Sequence, residues 1–349
     1  MSTGKQRLTI GLLIGWKVEP ELLLANALVA ASYGADFFYF YPAGINEGQR
    51  RIHGHRLEHG EWVEREFTYP DVIYDRMRRR GIQKYADVYR KLETIPFTHT
   101  LRGMSVHKTV AYNMLRKDEE LKSYLIPFQT LRDTAKGLAF IYKHRTVIAK
   151  PDRGTSGKGA FTIRMEGNEF EVFDQEYVHR MNEEQMLAFL EMLIREKYCM
   201  QKLMTSVTKQ GLPFHIRVHL AKNGHNEWIV AFCAVWISSE PQSKVTNSKH
   251  TFQMTTTWNR FLQHQFDEDV GGAMEQRIHT YALRLASFME QQLDGRLHEI
   301  GLDIGIDAEG RIGLFEVGAG VPSAMFQFVE MARPAIAYSL YVATHPDMK

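Results

Sequence analysis

The chain has almost no sulfur with which to cross-link itself: two cysteines in 349 residues, Cys199 and Cys233, each inside an apolar run that reads as a strand. That excludes a disulfide framework and points to a reducing compartment, so both are expected as small buried hydrophobes and the protein in the cytoplasm. Long apolar runs are missing too. The segment before Leu8 is polar, and the apolar stretch Leu8–Ile14 is too short for anything but a strand, so neither a signal peptide nor a membrane span is expected. An excess of one charge is also lacking. The 43 basic residues nearly cancel the 41 acidic ones, which argues against a general polyanion binder and excludes nucleic acid as the expected partner. There is no low-complexity linker and no internal repeat. What remains is an ordinary globular composition, 44% hydrophobic and 24% charged, in a chain long enough for two or three subdomains.

The first hundred residues alternate strand and helix signals: Leu8–Ile14 as strand, Pro20–Ser32 as helix, Asp36–Tyr41 as strand, a polar hairpin-like insert over Ile45–Thr68, and a third strand over Pro70–Asp75. This order predicts a small α/β layer with parallel strands. His53, His55 and His59 in the insert are expected as solvated loop histidines. The basic run Arg76–Arg80 is read as a solvated face or a phosphate contact. Apolar residues at helical spacing predict a helix over His107–Tyr124, another over Thr134–Tyr142 and an amphipathic one over Asn182–Tyr198. Strands follow over 198–203, 214–220 and 228–238, then helices near 274–293 and 323–343. The later strands look antiparallel, so the fold class is α+β, divided as 1–100, 101–205 and 206–349.

The most informative feature is a β-hairpin signal at the far end of the chain. Two β-prone runs, Glu299–Ile306 and Arg311–Gly318, flank the turn Asp307-Ala308-Glu309-Gly310. If Ile306 faces Arg311, then Asp303 opposes Leu314 and Gly301 opposes Glu316. Asp303 and Glu316 become diagonal neighbours on one face, with Cβ atoms roughly 7 Å apart. Such a pair suits Mg²⁺, which takes one or two protein carboxylates and leaves its other positions to phosphate and water. The alternative is that both acids face solvent or pair with Lys and Arg.

A second feature is the run from Lys150 through Arg153-Gly154-Thr155-Ser156-Gly157-Lys158-Gly159. Closely spaced glycines, hydroxyls and a lysine allow backbone N–H groups to curl around an anion. It is not a Walker A loop, because Asp152 stands where the first glycine belongs and Gly159 follows Lys158 in place of Ser or Thr. A strand follows, so the phosphates would lie under a strand–loop–strand flap, with Lys150 supplying a point charge from beneath. A plain surface turn is the other reading. The apolar strand Tyr198–Leu203 ends at polar Gln201 and Lys202, where backbone groups could read an adenine edge. In Phe214–Leu220, alternation places Phe214, Ile216, Val218 and Leu220 on one face and His215, Arg217 and His219 on the other. Arg217 is the better candidate for clamping a phosphate or carboxylate, and His219 is expected to be wet.

With these residues in place, the chain resembles the ATP-grasp superfamily, and within it the YheC/YheD group of endospore-coat-associated proteins. The resemblance runs over nearly the whole length. It is carried by Thr9-Ile10-Gly11, Pro70-Asp71-Val72-Ile73-Tyr74-Asp75-Arg76, Lys108, Lys150-Pro151 with the glycine loop, Gln201, Arg217, and Gly301-Leu302-Asp303 through Glu316. It implies an N-terminal α/β domain followed by two α+β subdomains gripping ATP with one or two Mg²⁺. Lys108 and Lys150 would contact phosphates, loop 154–159 would close over them, Gln201, Lys202 and Leu203 would hold adenine, and Asp303 and Glu316 would hold metal. The activity implied is ligation of a carboxylate to an amine through an acyl phosphate, with Arg217 and Lys150 as the catalytic side chains and a small molecule or peptide as substrate. Such a protein works away from membranes, leaves a homodimer open, and by resemblance is spore-associated.

The departures cluster away from the glycine loop. The family pattern after the second acid is Glu-x-Asn, and here the third position is Gly318. His215 stands where related sequences tend to have an acid, Trp236 near a position where Arg is common, and Lys244–His250 keeps Asn247 without the paired glycines expected after it. Two readings follow: an active ligase with an altered substrate site, or an ATP-binding scaffold without ligase activity, associated with a spore coat or a biosynthetic assembly. A sugar-binding α+β protein is a third and more distant reading.

Overall fold

The computed structural model describes residues 7–102, 106–152, 159–240, 252–319 and 327–346. Three sheets follow one another along the chain. The first is built from β1 (Thr9–Leu13), α1 (Pro20–Ser32), β2 (Asp36–Phe40), β3 (Ile45–Asn46), β4 (Arg51–Glu58), β5 (Glu61–Thr68), β6 (Val72–Asp75) and α2 (Ala86–Lys91). Its order is β3-β4-β2-β1-β6 with β5 on β4, and β1 pairs in parallel with both β2 and β6. The expected α/β layer is present. The histidine-bearing insert is a strand pair, so His53 and His55 sit on β4 and not in a loop, and His55 stacks on Tyr39 at 4.6 Å between ring centres.

The second sheet is antiparallel. Its segment opens with α3 (Lys108–Leu115) and α4 (Glu119–Lys122), then β7 (Phe128–Thr130), α5 (Thr134–His144), β8 (Thr146–Pro151), β9 (Phe161–Glu166), β10 (Glu169–Phe173), β11 (Val178–Met181), α6 (Glu183–Arg195) and β12 (Tyr198–Lys202). The strand order is β11-β10-β9-β8-β12-β7. Helices α5 and α6 cover one face, burying Leu138, Ile141, Leu190 and Leu193 against Val147, Ala149 and Met200. Alternation along β8 and β12 therefore turns Ile148, Lys150, Cys199 and Gln201 to the opposite face. The single helix expected over His107–Tyr124 is two. The Asp118 carboxylate accepts from the Glu120 and Leu121 amides and starts a new helix inside the periodic run.

The third sheet, β15-β14-β13-β16-β17, is fully antiparallel. Its elements are β13 (Phe214–Lys222), β14 (Trp228–Ser238), β15 (Gln253–Thr257), α7 (Trp258–Gln265), α8 (Glu268–Gln292), β16 (Glu299–Ile306) and β17 (Ile312–Ala319). Phe214, Ile216, Val218, Ile300, Leu302 and Ile304 pack on Ile278, Tyr281, Leu285 and Met289 of α8. A last helix, α9 (Phe328–Thr344), returns to the first sheet, where Ala332, Ile336, Tyr338 and Val342 share a core with Ile10, Val72 and Tyr74. Among the described residues no helix is long and apolar enough to cross a membrane.

Two further expectations are corrected. His219 is not wet: it is buried against Phe232, ring centres 4.9 Å apart. The basic run is not a uniform solvated face either. Arg78 is buried in an ion pair with Glu299, and Arg80 lies over the Tyr89 and Phe97 rings. Both corrections have one cause: the first and third sheets meet here, and sequence alternation cannot show what covers a strand's second face.

Candidate functional site

The second and third sheets face each other, with α3 laid across one end. On the hairpin, the register differs from the expected one. Ile306 pairs with Ile312 and Ile304 with Leu314, then a bulge at Phe315 shifts the ladder so that Asp303 pairs directly with Glu316. The two carboxylates are therefore cross-strand partners and not diagonal ones, bringing their Cβ atoms to roughly 5 Å. The bulge also sends the Phe315 ring onto the backbone of Gly305, where any Cβ would collide with it.

β13 places Arg217 opposite Asp303. The guanidinium grips the carboxylate with both ends, Nε to Oδ1 at 2.5 Å and Nη2 to Oδ2 at 2.9 Å. Burial works against the Asp303 charge, but Arg217 and His215 outweigh it and hold the carboxyl below its ordinary range. His215 Nε2 lies 3.7 Å from the same carboxylate, and burial pushes this imidazole down to about 4. His215 and Trp236 are cross-strand partners with parallel rings. The two departures noted at these positions are thus one change, a stacked ring pair beside the acid.

Lys150 reaches across from β8. Its Nζ donates to Gln201 Oε1 and to the Phe315 carbonyl, both at 2.8 Å. Gln201 Nε2 in turn donates to Tyr112 Oη at 3.0 Å and to the Leu314 carbonyl at 3.1 Å, and Tyr112 Oη donates to the Phe315 carbonyl. This network bolts the bulge of the third sheet to the second sheet and to α3. Burial lowers the Lys150 ammonium from its ordinary range, with Lys108 adding to the effect and Glu316 and Asp303 opposing it.

Lys108 opens α3, and its Nζ lies 3.5 Å from Glu316 Oε1. The helix has no side-chain cap of its own. Asp152, just past Lys150, supplies one from another strand. Its Oδ1 accepts from the Thr109 amide at 2.9 Å, and its Oδ2 accepts from Thr109 Oγ1 at 3.0 Å and meets His107 Nδ1 at 3.2 Å. One short segment therefore carries Lys150 and fixes Lys108.

Lys108, Lys150, Gln201, Arg217, Asp303 and Glu316 are thus brought together. Three cations and two carboxylates converge, an arrangement suited to a polyphosphate with a metal ion. The donors fit Mg²⁺: two hard carboxylates from adjacent strands, with the Glu316 side chain one-third exposed, which is 33%. Gly318 pairs with Gly301 and offers no side-chain ligand. At the hinge, the Lys202 amide donates to Pro127 O at 2.8 Å and the Leu203 amide to Thr146 O at 3.0 Å, so both donors are already engaged. Gly154, Thr155, Ser156, Gly157 and Lys158, with Asn247, lie outside the described residues. Gly159 is described, with φ +73° and the Tyr198 hydroxyl 2.9 Å from where a Cβ would stand, so only glycine fits. Sequence reasoning missed Tyr112, Asp152 and Phe315. Tyr112 looked like a core aromatic and Phe315 like an ordinary strand residue, whereas Asp152 directly after Lys150-Pro151 was a visible signal.

A family profile described as YheC/D like ATP-grasp matches residues 98–342. The endospore coat-associated protein YheD of Bacillus subtilis (strain 168) is 24% identical over 311 residues, covering 84% of this chain and 66% of that protein, so the chain spans just under two thirds of its length. Among solved structures, D-alanyl-alanine synthetase A from Vibrio cholerae superposes with a TM-score of 0.55 at 15% identity, covering 98% of both chains. The ATP-grasp ligase PsnB, complexed with a phosphomimetic variant of its minimal precursor, Mg and ADP, superposes with a TM-score of 0.51 at 12% identity, covering 97% of this chain and all of that one, 100%.

Proposed function

Because the chain belongs to the YheC/D-like ATP-grasp family and has the ATP-grasp fold, we propose that it is an ATP-dependent ligase joining a carboxylate to an amine. The observation that carries the reading is the convergence of Lys108, Lys150 and Arg217 on the cross-strand pair Asp303–Glu316. Lys108 and Lys150 would hold phosphate oxygens, and Asp303 and Glu316 would hold Mg²⁺. The ion would neutralise phosphate charge when bound. Arg217 exchanges its grip on Asp303 for the substrate carboxylate or the transferred phosphoryl group, a bidentate acceptor of the same shape. A carboxylate oxygen attacks the γ-phosphorus and ADP leaves. The amine then attacks the acyl carbon, phosphate departs and the amine proton passes to solvent. Positioning and charge neutralisation suffice, with no nucleophilic side chain. Since the Lys202 and Leu203 amides are engaged, a purine edge here is read through carbonyls and side chains. That the PsnB structure is a complex with Mg and ADP supports these cofactors, and its precursor supports a peptide-like substrate.

The test is ADP release across a panel of acid–amine pairs with Mg²⁺. At least one pair should raise turnover well above the rate with ATP alone; background turnover throughout argues against ligation. One observation favours the scaffold reading, namely that both Asp303 oxygens are taken by Arg217 while Gly318 supplies no third ligand. On that reading Mg·ATP binds without turnover and Gly318→Asn brings little gain.

A further inference from the structure

The cleft face of the third sheet continues past the site. Along β16 the residues on that face are Asp303, Gly301 and Glu299, and across from Gly301 stand Gly318 and His219. The two glycines thus leave a stretch of β16 and β17 without side chains between the Asp303–Glu316 pair and Glu299, bordered by the buried His219 on β13. Glu299 lies four residues, about 13 Å, from Asp303 along the strand. It is fully buried, and its carboxylate is held by Arg78 and by Tyr74 Oη at 3.0 Å. Those residues belong to β6 and the loop after it, so the glycine stretch ends at the first domain.

What faces the end of that stretch is the carboxyl edge of β1 and β6. β1 connects through α1 to β2 on one side, while β6 lies on the other, so the chain's direction of winding reverses between β1 and β6. A crevice opens at such a reversal in α/β sheets, and ligands bind there. Loop 15–18 and loop 76–81 form its walls. They lie side by side, since a Cβ on Gly15 would meet the Met77 side chain at 2.8 Å. The Arg79 guanidinium sits 5.0 Å from the centre of the Trp16 ring, and Trp16 is half-exposed. Arg102 borders the same loop at Gly81. Arg76 donates to Tyr74 Oη at 3.3 Å. Lys17, Arg76, Arg79 and Arg102 make no ion pair with a carboxylate among the described residues. Besides buried Glu299, the exposed Glu19 acts on Arg76. In a chain whose charges nearly cancel, a group of cations with an exposed indole beside Arg79, at the end of the glycine stretch leading to Asp303, is a local exception.

We propose that this crevice binds the distal end of the substrate, and that the substrate is an acidic peptide carrying at least one carboxylate beyond the one that reacts. Its reacting end lies at Arg217, its backbone crosses the Gly301–Gly318 stretch, and its second carboxylate is held by Arg79 and Arg76 with Lys17 and Arg102 around it. The proposal rests on the ligase reading of the cleft and specifies its substrate class.

The test is calorimetric titration of the full chain, with and without saturating Mg·ADP, using triglutamate, trialanine and trilysine peptides. Triglutamate should bind about tenfold or more tightly than trialanine, and the advantage should shrink as salt rises from about 50 to about 300 mM. The double variant Lys17→Gln, Arg79→Gln alters one exposed and one half-buried side chain, neither in contact with the Asp303–Glu316 pair. It should lose the advantage of triglutamate while its Mg·ADP affinity stays within about twofold of the parent. Equal affinity for triglutamate and trialanine, or a preference that survives in the double variant, overturns the proposal. Failure of Mg·ADP to bind would count against the ligase reading instead, and the peptide comparison made without nucleotide still decides the crevice.

Discussion

Removing the Asp152 carboxylate tests how the site is held together, because this side chain caps α3 from a neighbouring strand. Asp152→Ala deletes three polar contacts, from the Thr109 amide at 2.9 Å, Thr109 Oγ1 at 3.0 Å and His107 Nδ1 at 3.2 Å. α3 has no other side-chain cap, so the Thr109 amide loses its acceptor and the helix a favourable charge near its N-terminus. A lost cap costs roughly 0.5–2 kcal/mol, and a carboxylate there adds a few tenths, so about 2 kcal/mol is expected. With an unfolding entropy near 2.1 cal/mol/K per residue, that lowers the melting temperature by about 3 °C in a chain of 349 residues. The functional effect should be larger in proportion. Lys108 is the first residue of α3 and reaches Glu316 from it, so a frayed first turn would misplace the charge-assisted phosphate contact proposed for it. Such a contact is worth about 1.5 kcal/mol, or tenfold in the Mg·ATP dissociation constant. Calorimetry and thermal melts on the same preparations read both effects, and Asp152→Asn, which keeps the acceptor for the Thr109 amide, should fall between. A variant with reduced melting temperature but parental Mg·ATP affinity would refute the placement of Lys108 against phosphate. An unchanged melting temperature would refute the cap.

Gln201→Met should cost about 2–4 kcal/mol, because the near-isosteric thioether cannot bridge the buried groups now joined by Gln201, Lys150, Tyr112 Oη and the Leu314 carbonyl; urea unfolding measures it, and a loss under about 0.5 kcal/mol would show the network to be incidental. Asp303→Asn should destabilise the ligand-free protein by about 3 kcal/mol by leaving Arg217 without its buried counter-charge. If Asp303 also holds the metal, the same change should abolish the Mg²⁺ dependence of ATP binding, and retained dependence would remove Asp303 from the metal site. Acid should weaken the joint between the first and third sheets. Burial pushes His219 down to about 4 and His298 down to about 3, with Arg76 and Arg78 nearby and Glu299 opposing. Below the ordinary imidazole range the unfolded chain then binds protons that the folded one refuses, so stability falls from about pH 6.5 toward about pH 4, by up to about 3 kcal/mol per histidine. His219→Gln should flatten part of that slope in urea melts taken across the range, and an unaltered slope would place the acid sensitivity elsewhere.

Much of the fold could be read from the sequence because its signals are local. Pro20–Ser32 is a helix over the expected residues, and the turn Asp307–Gly310 joins the expected strands. The failures share a cause in contacts that periodicity does not encode. A one-residue bulge at Phe315 turned a diagonal pair of acids into a direct one, because register follows pairing energy over the whole ladder. His219 and Arg78 looked solvent-facing until the meeting of the first and third sheets buried them. Helix periodicity ran straight through Asp118, whose carboxylate was free to cap a new helix. At the site, residues with an evident charge, such as Lys150, Arg217, Asp303 and Glu316, were visible in the sequence. Tyr112, which ties them together through its hydroxyl, was hidden among core aromatics.

On the proposed mechanism ATP is spent on activating a carboxylate. Hydroxylamine trapping tests it most directly: the protein is incubated with Mg·ATP, an acidic peptide and hydroxylamine in place of the amine, and hydroxamate and ADP are measured together. A peptide hydroxamate formed in step with ADP, and absent with Arg217→Met, is the expected result. ATP bound with micromolar affinity, but yielding neither ADP nor hydroxamate across acidic, neutral and basic peptides, would contradict it.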